Sequence, residues 1–187
     1  ETRREAFKFN MQVDLKNPSK DEVDMLRKLY CGGVRYVDEH VGSLVDFLKD
    51  EDMFDYSLFL LAGDHGHAFM EHGKFGHDPE ILYNEVLHVP LILYGLDFSG
   101  KVDLPVQLLD IPPTILDILK IEKPKTFLGE SLIPTISGMA YVKPIFSESA
   151  KPDLLNLRYD ISKKVVSCIY NGWKLIINEI HKTKELY

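Results

Sequence analysis

The sequence predicts a layered α/β fold, and three observations carry that prediction. Apolar residues recur at helical spacing from Val23 to Leu48, two short apolar runs read as buried strands, and Asn171-Gly172 reads as a hairpin turn. Buried strands alternating with helices pack in layers, because each element has an apolar face to cover.

The helix comes first. Asn17-Pro18-Ser19 reads as a turn, and Ser19 stands where an N-cap is needed. Asp21, Glu22 and Asp24 put negative charge at the positive end of the helix dipole. The pair Gly32-Gly33 costs about 2 kcal/mol of helix propensity relative to alanine, so a break or a close approach to a neighbour is expected there. Residues 56–62 (YSLFLLA) and 89–94 (VPLILY) are the strands, short and apolar enough to be buried on both faces. A third short strand is expected at 106–109. Asp110 then caps a helix running to about Lys120, with Pro112 and Pro113 tolerated in its first turn. Residues 143–147 read as another strand. Near the end, 164–170 and 173–178 flank the Asn-Gly turn as a small antiparallel hairpin.

Composition narrows the function. The chain has 187 residues, 45% hydrophobic and 27% charged, which suits a soluble globular domain or a domain and part of another. Lys plus Arg is 22 and Asp plus Glu is 29, a formal net charge of −7. A net acidic body attracts neither nucleic acid nor an anionic membrane, so those partners are not expected. An anionic substrate would need a local attractor such as a metal ion. Cys31 and Cys168 form no C-x-x-C pair, which fits neither a disulfide scaffold nor a cysteine-based zinc module. No apolar run approaches the roughly 18 to 20 residues of a membrane span. The sequence opens on Glu1 without a recognisable leader, and no cellular location follows from it.

The chemistry is concentrated in residues 60–77. Four of the seven histidines, His65, His67, His72 and His77, lie there, with Asp64 beside the first and His88 eleven residues beyond the last. The stretch begins at the C-terminal end of an expected strand, where open α/β sheets hold their ligands. A carboxylate next to an imidazole offers a metal one hard oxygen and one borderline nitrogen. Gly63 and Gly66 would free the backbone to turn both side chains inward. The alternative is a solvated polar loop. Lys74 is an anion contact or a solvated lysine, and His67 is ambiguous. His88 is expected to be packed or hydrogen-bonded. Glu85 and Tyr83 either orient the loop or lie on a helix surface.

Several motifs in order resemble the sulfatases and their relatives in the alkaline phosphatase superfamily. They are Asp64-His65-Gly66, Glu71-His72-Gly73, Gly76-His77, Leu82-Tyr83-Asn84-Glu85 and Val89-Pro90-Leu91-Ile92. Asp110-Ile111-Pro112-Pro113-Thr114 and Gly172-Trp173-Lys174 follow, so the resemblance runs from about residue 25 to the last. It implies part of a layered αβα alkaline-phosphatase-like sheet, with residues 1–150 in the C-terminal part of the catalytic domain and 151–187 as a small antiparallel segment. It assigns Asp64 and His65 to a divalent metal: calcium, zinc or manganese. It makes His77 and His72 the candidate catalytic residues, with His77 and Lys74 meeting the sulfate or phosphate of an ester substrate.

Sulfatases use a formylglycine made in a Cys/Ser-x-Pro-x-Arg sequence. Cys31 is followed by two glycines and Cys168 by Ile169-Tyr170-Asn171, so neither fits. The resemblance therefore implies a fragment cut at both ends, its formylglycine on an N-terminal part outside these residues. Such a piece is expected to be inactive alone, and to expose an apolar surface through which it could dimerise. Two other readings stay open. One is a phosphodiesterase, phosphonate hydrolase or phosphoethanolamine transferase of the same superfamily. The other is a non-catalytic module holding metal in a closed, four-ligand site.

Overall fold

The computed structural model describes residues 17–95, 100–139, 142–153 and 158–187. Helix α1 (Lys20–Asp50) begins as the sequence requires. Ser19 Oγ accepts from the Glu22 amide at 3.3 Å, and Glu22 Oε2 accepts from the Ser19 amide at 2.8 Å. This reciprocal pair satisfies two donors that a helix start leaves without partners. The helix runs unbroken through Gly32-Gly33, where an added Cβ would meet nothing within 4 Å. The glycine pair therefore marks neither a break nor a close approach, because the long run of hydrogen bonds on either side outweighs its propensity cost.

Only the first turns of α1 are buried. Val23 and Leu26 pack on Phe69, Met70 and Phe75, which belong to a short hairpin of β2 (Ala68–Phe69) and β3 (Phe75–Gly76). Further along, Tyr30, Val34, Val37, Leu44 and Phe47 keep the helical spacing but stand exposed.

The two expected strands form in shortened versions. β1 (Phe59–Ala62) and β4 (Leu91–Tyr94) pair antiparallel, Phe59 opposite Tyr94 and Ala62 opposite Leu91. Tyr56 falls in a 3-10 turn and is 92% exposed, outside the strand. Neither strand is buried on both faces, and Ile92 and Tyr94 face outward. Paired strands cover each other's edges and not their faces, so a two-stranded ribbon needs other elements packed on it to bury both faces.

Helix α2 (Asn84–Leu87) is a single turn leading into β4. The strand expected at 106–109 does not form; Leu108–Asp110 is a 3-10 turn feeding helix α3 (Ile111–Ile118). Asp110 precedes α3 but makes no side-chain cap. Its fully buried carboxylate instead accepts from the Gln107 amide at 3.3 Å, the Glu130 amide at 2.9 Å and Lys143 Nζ at 3.2 Å. That set ties α3 to the segment carrying α4 (Ile133–Ile136) and neutralises a buried charge.

The C-terminal hairpin is half of a larger unit. β5 (Ile145–Asp153), β6 (Arg158–Tyr170), β7 (Trp173–Asn178) and β8 (Thr183–Leu186) form one antiparallel sheet in that order. Asn171 and Gly172 take φ of 49° and 80°, the two positive values a type I′ turn demands. One face of the sheet buries Val165 and Ile176 against Leu82, with Tyr83, Leu87 and Ile180 around them. This contact seats the C-terminal sheet directly on the segment that follows the histidine-rich loop.

Candidate metal and leaving-group site

The chain leaves β1 at Gly63, whose amide donates to the Pro90 carbonyl at 3.1 Å and extends the ribbon by one bond. The next turn is pinned to α2, where the Gly66 amide donates to the Val86 carbonyl at 2.7 Å and the His67 amide to the Glu85 carbonyl at 3.0 Å. An added Cβ at Gly66 would lie 2.1 Å from the Glu85 carbonyl oxygen. Gly66 is thus required by close approach. Neither it nor Gly63 has a positive φ.

Asp64 and His65 project from this pinned turn. Asp64 Oδ1 accepts from the His65 amide at 2.9 Å, and Asp64 Oδ2 lies 3.9 Å from His65 Nε2. The His65 amide bond, then the neighbouring imidazole, hold the Asp64 carboxyl below its usual range and keep it ionised. His65 Nδ1 is 3.0 Å from the Gly66 carbonyl, an acceptor, so Nδ1 carries the hydrogen and Nε2 the lone pair. At about 2.0 to 2.2 Å from a metal such as zinc, two tetrahedral ligands lie roughly 3.3 to 3.6 Å apart, so the 3.9 Å between Asp64 Oδ2 and His65 Nε2 would have to close slightly for both to meet one ion. A carboxylate oxygen beside an imidazole nitrogen is a donor pair of the kind a divalent cation accepts. Among the described residues no three His, Cys, Asp or Glu side chains gather to hold a metal, so the closed four-ligand site does not form there.

His77 joins this pair. Its ring stacks on His65 with centroids 4.3 Å apart and planes 29° apart. His67 lies 5.8 Å from His77 and is enclosed by Tyr30, Phe69 and Phe75, at 5.5, 4.8 and 5.1 Å. Burial, then repulsion from His77 and His65, pushes the His67 imidazole below its ordinary value, so it stays neutral at neutral pH. His67 is therefore the packed member of the three, a role its spacing left undecided.

His72 belongs to a different group. Its Nδ1 is 2.8 Å from Glu85 Oε1, and its ring lies flat on Tyr83, centroids 3.9 Å and planes 4° apart. The Tyr83 hydroxyl donates to Glu185 on β8 at 2.8 Å, and Tyr187 donates to the same carboxylate. Those two hydroxyls, chiefly that of Tyr187, hold Glu185 below the usual carboxylate range despite partial burial. Burial and the Glu185 contact push the Tyr83 phenol upward, so it remains a donor. Beside them, buried Lys174 donates to Asn84 Oδ1 at 2.8 Å, and burial lowers its ammonium to about 8.

Lys74 is exposed at the tip of the β2–β3 hairpin. His88, expected to be packed or hydrogen-bonded, is exposed, with its amide donating to the Asn84 carbonyl at 2.8 Å. It follows the single turn of α2, after which the chain swings outward into β4. Lys174, Glu185 and Tyr187 lie in segments that resemble the family's closing stretch, but nothing local linked them to this loop, because they are about a hundred residues from it. No helix among the described residues is long and apolar enough to cross a membrane.

This architecture is found in solved structures. A phosphonate monoester hydrolase from Silicibacter pomeroyi superposes with a TM-score of 0.79 at 25% identity, over 91% of this chain and 36% of that one. The fold is that of the alkaline phosphatase superfamily, a mixed helix-and-sheet body with a small four-stranded antiparallel sheet at the C-terminal end. Within that superfamily the sulfatase profile matches residues 7–121, more than half the chain, and the protein belongs to the sulfatase family. Arylsulfatase K of Danio rerio is 31% identical over 124 residues, covering 65% of this chain and 23% of the relative. Choline-sulfatase of Rhizobium meliloti (strain 1021) is 29% identical over 136 residues, covering 71% and 26%. These residues thus span about a quarter to a third of the relatives' lengths.

Proposed function

We propose that this chain supplies the metal-binding and leaving-group side of a sulfuric ester hydrolase. One observation carries the reading: His77 stacks on His65, whose Nε2 stands 3.9 Å from Asp64 Oδ2. That proximity supports reading His77 as an anion contact beside two candidate metal ligands.

Asp64 and His65 would hold a divalent ion, and an Asp-His pair suits zinc or manganese better than calcium. When bound, such an ion polarises the ester oxygens as a Lewis acid. His77 contacts the sulfate and gives a proton to the departing alcohol oxygen, the general-acid role an imidazole can serve. Lys74, exposed on the hairpin and close enough to Glu185 to lower its carboxyl, is the second candidate anion contact. His72 is the second candidate acid, but its Nδ1 and one ring face are already engaged by Glu85 and Tyr83. A formylglycine nucleophile is expected outside these residues, and the 187 residues alone are expected to be inactive. The exposed face of α1, Tyr30 to Phe47, fits packing against the remainder of such a domain. In the isolated chain that face would favour dimers, visible as concentration-dependent sedimentation.

The full-length protein tests the reading. Turnover of sugar or aryl sulfate esters is expected, abolished by chelation and lowered on the order of 100-fold or more by Asp64→Ala or His65→Ala. A second reading, phosphonate monoester hydrolysis, draws support from the Silicibacter pomeroyi likeness. Preference for a phosphonate monoester over every sulfate ester tried would replace the first reading with the second.

A further inference from the structure

We propose that His72 and Glu85 are positioning residues, clamped by the C-terminal sheet, that fix the β2–β3 hairpin presenting His77. The inference rests on the reading of His77 as the substrate contact, and it gives His72 a role other than proton donor.

The geometry runs in three steps. First, the hairpin's own ladder is short: Ala68 pairs with Gly76 and Phe69 with Phe75, the Met70 amide adds a bond to the Lys74 carbonyl at 2.9 Å, and α1 holds the base through Val23, Leu26 and an Arg27–Glu71 ion pair at 2.9 Å. Its tip turns through Met70 at φ 71° and Gly73 at φ 66°, backbone that needs outside support to persist at the non-glycine position. Second, His72 at that tip has two partners outside the hairpin. Glu85 takes a hydrogen bond from Nδ1 at 2.8 Å, and Tyr83 covers the ring face at 3.9 Å. Third, those partners are fixed from the far end of the chain. Tyr83 donates to Glu185 on β8, Lys174 on β7 donates to Asn84, and Leu82 is buried against Val165 and Ile176. A second imidazole–carboxylate contact, His181 Nε2 to Glu80 Oε2 at 2.7 Å, joins the β7–β8 turn to the same segment.

The clamp therefore acts at the hairpin tip, a few residues before His77, whose ring stacks on His65. A carboxylate accepts only, so Glu85 fixes the hydrogen on His72 Nδ1. An asparagine amide at position 72 can place its N–H near the same point, yet it offers no proton to a leaving group. That difference separates positioning from acid catalysis. Losing the clamp displaces His77, and a displacement of about 1 Å is worth roughly 100-fold in rate.

In the full-length protein, His72→Ala and Glu85→Ala are each expected to lower kcat about 10- to 100-fold, with KM little changed. The double variant should be no worse than either single one, and His72→Asn should recover most of the rate. Hydrogen exchange across residues 70–77 supplies a readout independent of substrate. It should speed up in His72→Ala and in Glu185→Ala, and stay slow in His72→Asn. If His72→Asn is as impaired as His72→Ala while the hairpin amides stay protected, His72 does chemistry and the inference is overturned. Unchanged exchange in both alanine variants overturns it too. Faster exchange together with absence of sulfate-ester turnover in the wild type would keep the clamp and sink the hydrolase reading instead.

Discussion

Two groups of histidines lie a few residues apart in sequence and live under different physical rules. His65 and His77 stand at a solvent-facing strand end, stacked on each other, with Asp64 almost fully exposed beside them. His72 is held by a carboxylate and a tyrosine whose own partners sit on the C-terminal sheet. The first group is bonded to little, which leaves its donor atoms open to a ligand. The second is bonded to much, which spends its donors on holding backbone. The contrast teaches that histidine clustering in a sequence marks a functional region without dividing the labour inside it. Only the partners of each ring do that.

The comparison breaks most severely at Gly66, which seats the first group on the helix turn that carries Glu85 for the second. Gly66→Ala sets a Cβ 2.1 Å from the Glu85 carbonyl oxygen. A loss of about 3 kcal/mol in urea-unfolding stability is expected, with both groups displaced together. Near-native stability would show that the turn can shift without cost.

Lys174 sharpens the second group through pH. Burial lowers its pKa to about 8 from an unfolded value of 10.5, so between those values the unfolded chain binds more protons than the folded one. Stability contributed through Lys174 therefore rises as pH rises from 8 to 10.5, by on the order of 2 kcal/mol. Lys174→Met should flatten that segment of the stability–pH profile measured by chemical denaturation. A profile identical to wild type would show that the ammonium keeps its water. Tyr83→Phe removes one hydrogen bond to Glu185 and is expected to cost about 1 kcal/mol, read as a lowered thermal midpoint. The smallest effect belongs to the first group: His77→Ala should leave stability within about 0.5 kcal/mol of wild type, because the side chain is exposed. A larger loss would mean that the stack on His65 is structural.

Much of the fold was legible locally. Ser19 and Glu22 announced the start of α1, and Asn171-Gly172 the hairpin, because caps and tight turns depend on residues three or four apart. The strand expected at 106–109 failed because a run of only four residues, interrupted by polar Gln107, fits a 3-10 turn equally well when Asp110 is drawn inward by Lys143 and two amides. The expected cap at Asp110 failed for the same reason. Its carboxylate had stronger partners elsewhere.

The candidate site divides along the same line. Residue types and spacing alone determined that residues 60–77 form a strand exit rich in metal-ligand and acid–base groups, and that Asp64-His65 is its carboxylate–imidazole pair. Which histidine meets which partner was decided by the tertiary structure. His77 reaches His65 across a hairpin, and His72 reaches Glu185 only through Tyr83, over a hundred residues away. Local motifs encode hydrogen bonds between near neighbours, whereas the ring faces and buried amines of this site are set by how the C-terminal sheet packs on Leu82, a contact no short pattern contains.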